Sequence, residues 1–268
     1  MSPDLILFGV VAIATGAVVG LLAGMLGIGG GLVLVPVLFE LMIRLGTDEG
    51  TAIRTAIGTS LATVVVTGLR SASSHHRRGA LDRELIATWA PAMLLGSLLG
   101  AEIATQVEPA NLLKTFAVMT VFLALNMAFG QSSWRLGDEP PARPWRVIGG
   151  GTVGLVSALL GIGVAGLGVP LMTLFNAAVR SAVAAAALLG ALAALPATIR
   201  FVLAGWHLPN LAPWSIGYVN LLGFILIVPA AIVSTPIGVA LSHRVSQSVL
   251  KRIFAAFLAL NAIRLLVF

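Results

Sequence analysis

The chain has 268 residues, of which 58% are hydrophobic and only 10% charged, with a formal charge of +6 and a mean hydropathy of +1.03. Soluble globular chains carry roughly 25% charged residues, so an aqueous fold is excluded, and runs that are apolar on every face make the bilayer the solvent. The basic residues sit in short connections between apolar segments, which assigns them to membrane orientation rather than to nucleic acid.

Only helices fit such runs, because the alternation of a membrane barrel is absent. With no cysteine in the chain, disulfides and thiolate metal sites are excluded too. The first apolar segment, 5–26, has Asp4 as its only charged flank and no A-x-A pattern after it, so it reads as a retained helix rather than a signal peptide. A glycine-rich break follows, and the next segment runs from 31 to 45. At Gly29, Gly30 and Gly31 the backbone N–H groups point off the start of that helix, whose dipole makes a ready anion site. Close helix packing is the other use of such glycines.

The third segment, 52–70, carries Thr55, Thr59, Thr63 and Thr67 at a spacing of four, with Ser60 alongside. The stripe lines one helical face, where it can donate to a substrate's oxygens or bond back to carbonyls four residues earlier. Thr59 and Ser60 lead the candidates, with Thr63 beside them, because Gly58 lets another backbone approach. His75 and His76 adjoin Arg77 and Arg78 in what reads as a solvated basic loop rather than a metal site. Segments 85–105 and 111–129 complete this half; Glu102, near the outer end of the first, reads as a surface carboxylate.

A polar linker spans 131–146, and segments 147–161, 165–179, 182–203, 213–240 and 249–267 follow. A second break lies at Gly163, Val164 and Ala165. Arg200 is the basic residue placed inside an apolar span, where charge is costly. It can pair bidentately with an oxyanion or snorkel to the outer surface. His207, after Trp206, belongs to the interfacial belt.

The chain repeats itself. Residues 20–36 read GLLAGMLGIGGGLVLVP and residues 154–170 read GLVSALLGIGVAGLGVP, so Gly20, Gly27, Gly29 and Pro36 are matched by Gly154, Gly161, Gly163 and Pro170. Pro91 and Gly100 match Pro229 and Gly238 in the same way. The predicted organisation is a first membrane repeat at 1–130, a cytoplasmic linker at 131–146 and a second repeat at 147–268.

Whether each break kinks one crossing or reverses the chain decides the topology, and the distribution of Lys and Arg tests it. If the breaks only kink, Arg70, Arg77, Arg78, Arg83, Arg135, Arg143 and Arg146 face Arg44, Arg54, Lys114, Arg180, Arg244, Lys251 and Arg252 across the membrane, an even split. If they reverse the chain, Arg180, Arg244, Lys251 and Arg252 join the first set and the bias becomes strong. The expected fold is therefore an all-α integral membrane protein of two inverted repeats, each of five helical segments and each starting with a glycine-broken hairpin. Both termini are expected outside and the hairpins are expected to meet near the midplane.

The two glycine blocks, together with AIGTS at 56–60, resemble the TauE/SafE sulfite exporter family, and the similarity spans essentially the whole chain. The resemblance implies transport of sulfite, sulfoacetate or related organosulfonates across the bacterial cytoplasmic membrane. The second block departs from the family's usual glycines at Val164 and Ala165. The expected function is thus a secondary transporter, with one half moving against the other around a midplane anion site; a passive anion channel is the nearest alternative. No H-E-x-x-H, P-loop or paired intramembrane carboxylates support an enzyme. A small anion and membrane lipid are the expected partners, no cofactor or metal is expected, and homo-oligomerisation is left open.

Overall fold

A computed structural model describes residues 3–26, 30–129, 135–209, 211–242 and 255–261. In chain order its helices are α1 (Pro3–Leu26), α2 (Gly31–Arg44), α3 (Glu49–Arg77), α4 (Arg83–Gln106), α5 (Pro109–Phe129), α6 (Arg143–Leu160), α7 (Ala165–Leu174), α8 (Val179–Gly205) and α9 (Leu221–Ser242). A helical stretch, α10, covers 255–261. Between α8 and α9 lies a small antiparallel hairpin of β1 (Ser215–Ile216) and β2 (Val219–Asn220).

Helices α1, α3, α4, α5, α8 and α9 are long and apolar enough to cross a membrane, and the chain is a multi-pass membrane protein. With 14 residues, α2 is about 21 Å long at 1.5 Å per residue, and α7 with 10 residues is about 15 Å. Both fall short of a hydrocarbon core about 30 Å thick. Nearly every side chain in the first half of α2 is buried, so it sits inside the bundle.

The second break turns the chain back. The Leu136 N–H, in the segment just before α6, donates to the Leu174 carbonyl at the end of α7, at 2.8 Å. The start of α6 and the end of α7 therefore lie on the same side. Helix α6 stops with Gly161 in the left-handed conformation (φ 68°); its N–H bonds to Ala158 and the next N–H, of Ile162, to Ser157. That is the Schellman arrangement, in which a glycine past the helix end satisfies the last carbonyls.

Two close seams organise the bundle, α1 on α9 and α4 on α6. In each, a glycine of one helix lies against a carbonyl of the other. A Cβ on Gly20 would come within 2.2 Å of the Ala231 oxygen, and one on Gly154 within 2.0 Å of the Met93 oxygen. In return, Gly238 lies against the Leu21 carbonyl and Gly100 against the Leu155 carbonyl. Gly20 and Gly154, and Gly100 and Gly238, are the pairs that the sequence repeat matches, so the two seams share one register. Neighbours along each seam rise together in number, which makes its helices parallel. Helices α3 and α8 pack centrally and antiparallel: Gly58 lies beside Phe201, and Gly68 beside Ala187 and Ala191.

The boundaries differ most from the sequence expectation at α3 and at 213–240, while α6 starts at Arg143, inside the expected linker, and α7 ends at Leu174 rather than at 179. Asp48 caps α3 by accepting from the Thr51 N–H at 3.0 Å, and its hydrogen bonds to Thr51 hold its carboxyl below the ordinary range. At its other end α3 continues to Arg77, placing His75 and His76 on its last turn instead of in a loop. The apolar stretch 213–240 is not one span, because positive φ at Trp214 (62°) and Gly217 (55°) folds its start into the β1–β2 hairpin.

Leucine at Gly154 forces the α4–α6 seam apart, with an expected loss of roughly 1–3 kcal/mol or more. Thermal unfolding of the protein in detergent reads this as a lowered midpoint, and leucine at Gly20 acts alike. Alanine at Gly9, whose added Cβ would have its nearest neighbour at 4.0 Å, leaves the midpoint unchanged.

Candidate functional site

The two breaks meet. A Cβ on Gly31, the first residue of α2, would lie 2.1 Å from the Gly161 carbonyl oxygen and 2.6 Å from the Ile162 Cα. Gly30 packs on Val19 of α1, and its carbonyl accepts from Val33 and Leu34 as the first acceptor of α2. Gly29 lies outside the described residues.

Helix α3 passes this junction along AIGTS, and consecutive residues there serve different partners. Ile57 lies against Gly161, and Gly58 against the carbonyl of Tyr218 beside the hairpin. Thr59 Oγ1 donates to the Thr55 carbonyl at 2.6 Å and accepts from the Asn220 N–H at 2.8 Å. Ser60 Oγ donates to the Gly161 carbonyl at 2.7 Å. Thr63 and Thr67 bond back to carbonyls four residues earlier, the self-satisfying use of a hydroxyl in an apolar helix. Of the threonine stripe only Thr59 reaches a neighbouring segment, and Ser60 ties one half to the break of the other.

A cavity of about 30 Å³ lies beside the second break, lined by Thr67, Gly68 and Ser71 of α3, Gly163, Val164 and Ala165, and Ala186, Ala187 and Gly190 of α8. A water needs about 10–15 Å³ by this measure, so the space holds two or three waters. In this conformation it is too tight for an organosulfonate. The cavity brings together three of the sequence candidates, Gly163, Val164 and Ala165, with the outer flank of the α3 stripe.

Arg200 does not line it. Its guanidinium pairs bidentately with the Glu102 carboxylate of α4: Nε bonds to Oε2, and Nη2 to Oε1 at 3.0 Å. Both side chains are partly exposed, Arg200 at 29% and Glu102 at 45%. The bidentate partner anticipated for Arg200 is thus supplied by the chain itself. Among the described residues no cluster of His, Asp and Glu could hold a metal ion.

Two polar groups in this region escape the sequence reading. Asn220, buried at 1% exposure, donates from its side chain to the Pro213 carbonyl and Ser215 and accepts from the Gly223 N–H. It fastens the hairpin, and its signal was an amide side chain inside an apolar run. Ser157 occupies the position where the first repeat has Ala23, a hydroxyl present in one half only.

The family model for the sulfite exporter TauE/SafE matches residues 12–265. The chain is also 30% identical, over 258 residues, to a "Probable membrane transporter protein" of Haemophilus influenzae, covering 96% of this chain and 98% of that one. No solved structure matches.

Valine at Thr59 takes away the acceptor that serves the buried Asn220 N–H, with an expected cost of about 1–3 kcal/mol. Valine at Thr63, which loses only a bond within its own helix, costs less than about 1 kcal/mol. Thermal unfolding of the two variants under identical conditions checks that order.

Proposed function

The chain belongs to the TauE/SafE sulfite exporter family, a family of membrane transporters and not of enzymes, and we propose that it is a secondary transporter of a small sulfur-containing anion. The substrate class is sulfite, sulfoacetate or another organosulfonate, exported across the bacterial cytoplasmic membrane by alternating access.

The observation that carries this reading is the meeting of Gly31 with Gly161 beside a small cavity. Irregular backbone at membrane depth survives only inside protein or along a wet path, and a helix start there offers N–H donors to an anion. The proposed site is built from Gly29, Gly30, Gly31, Gly163, Val164 and Ala165, with Thr59, Ser60 and Thr63 forming its α3 wall. Arg200 stays with Glu102 at the periphery.

Three packing features support inverted repeats. Helix α7 returns to the side from which α6 starts; α3 and its counterpart α8 run antiparallel; and the α1–α9 and α4–α6 seams match residue for residue. Parallel repeats would make α3 and α8 run the same way.

Because each seam joins one helix from each half, a half cannot rock as a body without opening the glycine–carbonyl contacts of both seams. The moving units of the cycle therefore combine both halves, α1 with α9 and α4 with α6, around the central α3–α8 pair. A passive channel built on the same cavity needs a continuous wet path through these seams.

Proteoliposomes containing the purified protein are expected to take up sulfoacetate or sulfite saturably, with counterflow. Unsaturable flux with single-channel conductance instead establishes the channel, and no flux under a pH gradient or a potential removes this substrate class. Single cysteines introduced at Ser2 and Phe268 are expected to react with impermeant reagents from outside intact cells, and one at Ala80 only after permeabilisation. The reverse pattern at either terminus overturns the inverted orientation.

A further inference from the structure

The larger cavity beside the second break is not evenly enclosed. On α3 it is lined by Val64, Thr67, Gly68 and Ser71. Residues three, four and seven apart share one face of a helix, so Val64, Thr67 and Ser71 form a stripe that continues through His75 to Arg78. Exposure grows along it: Thr63 and Val64 are buried, Thr67, Ser71 and His75 are partly exposed, and Arg78 is exposed. Unlike Ser157, whose hydroxyl is buried without a hydrogen-bond partner, Ser71 lies on a face that opens towards the end of α3. The opposite face of the same turns carries Leu69, 48% exposed, an apolar side left to lipid.

Helix α8 forms the facing wall with Ala186, Ala187 and Gly190. It offers only methyl groups and a glycine there, so the polar side chains of this passage belong to α3. The register of the two helices, with Phe201 beside Gly58 and Ala187 and Ala191 beside Gly68, brings the first turn of α8 level with the end of α3. Arg180 stands in that turn, two turns before Ala187, and is exposed.

The end of the bundle to which this face leads is basic. A short turn joins the end of α3 to α4, α6 runs parallel beside α4, and the segment before α6 is bonded to the end of α7. Arg77, Arg78, Arg83, Arg143, Arg146 and Arg180 therefore lie at one end. Against them stand Asp82, Glu84, Asp138 and Glu139, of which Asp82 is engaged in capping α4. The ion pairs Arg44–Glu40 and Arg200–Glu102 lie at the opposite end, and among the described residues none engages Arg78 or Arg180.

We propose that this face of α3 is the access path by which an anion reaches the cavity at the second break. Arg78 and Arg180 concentrate anions at its mouth, as a cleft lined by one sign of charge does, and His75, Ser71 and Thr67 line the way inward. The path ends where Thr63 and Val64 are buried, so in this conformation the cavity communicates with the basic end. The path rests on the proposed anion transport and adds to it the end from which the cavity is reached and the residues that select for charge there.

The chain has no cysteine of its own, so Ser71→Cys, His75→Cys and Leu69→Cys each introduce a single thiol. The full-length variants are placed in phosphatidylcholine nanodiscs, which leave both faces accessible, and treated with 2-sulfonatoethyl methanethiosulfonate or its trimethylammonium analogue. The thiolate forms a mixed disulfide and releases methanesulfinate. The anionic reagent is expected to modify positions 71 and 75 about tenfold or more faster than position 69, as a charged mouth requires. A misfolded chain exposes position 69 as well, so that thiol also reports on folding. Replacing Arg78 and Arg180 together by Gln in the Ser71→Cys chain is expected to slow the anionic reagent about tenfold relative to the cationic one at low salt. Lys at both positions keeps the ratio.

Thiols at 71 and 75 that react no faster than the one at 69, or a reagent ratio indifferent to both arginines, overturn the path. Sulfoacetate uptake by wild-type proteoliposomes is measured in parallel. Uptake with inert thiols at 71 and 75 removes the path alone, charge-selective modification without uptake removes the substrate reading alone, and failure of both removes both.

Discussion

Hydrocarbon offers no hydrogen-bond partner, so each place where this chain leaves helical geometry inside the bundle must find its partners in the protein. Residues 56–60 of α3 meet two of them, at the second break and at the hairpin. Within one turn, Ile57 packs against Gly161, Gly58 admits the Tyr218 carbonyl, Thr59 accepts from Asn220 and Ser60 donates to Gly161. The break of the second half and the hairpin before α9 both depend on this short stretch. Its glycine, Gly58, leaves no room for a side chain, because a Cβ there would exclude the Tyr218 carbonyl.

Around that centre the bundle is held by backbone proximity more than by large side chains. Lipid tails are as apolar as leucine, so helices gain from each other chiefly by close packing, which small residues permit. The two seams apply this in identical register, glycine to carbonyl. A consequence is that each seam couples one helix of either half, so the two halves of the sequence repeat are interlocked.

The halves are equal in frame and unequal in chemistry. The α3–α4 connection is a short turn capped by Asp82, which accepts from the Glu84 and Leu85 N–H groups. Its counterpart between α8 and α9 is a folded hairpin pinned onto α3. The hydroxyl stripe belongs to α3, whereas the facing helix α8 carries alanines at 184–187. An asymmetric lining inside a similar frame accords with the proposed site, at which one small ion would bind while its surroundings exchange between two related states.

Apolar runs, their interruption by glycine and their duplication are properties of local sequence. The membrane location, the segment order and the positions of both breaks were therefore legible without coordinates. The sorting of basic residues by side of the membrane leads to the expectation that the chain reverses at each break, and the reading of inverted repeats stays a proposal. The site was only partly legible. The threonine stripe at a spacing of four is the same pattern whether it faces a substrate or its own carbonyls, and only packing assigned Thr63 and Thr67 to the latter. Arg200 reads equally as an anion ligand or as a cation reaching the outer surface until α4 brings Glu102 to it from 98 residues away. The hairpin at 215–220 hid in an apolar run because its turn depends on positive φ at Trp214 and Gly217, which hydropathy does not report. The sequence by itself determined which segments enter the membrane and where they break, since those follow from the transfer of each segment into lipid. The tertiary structure alone decided which hydroxyls and charges are already satisfied and which, such as Ser157, are not, because hydrogen-bond partners in this fold come from distant parts of the chain.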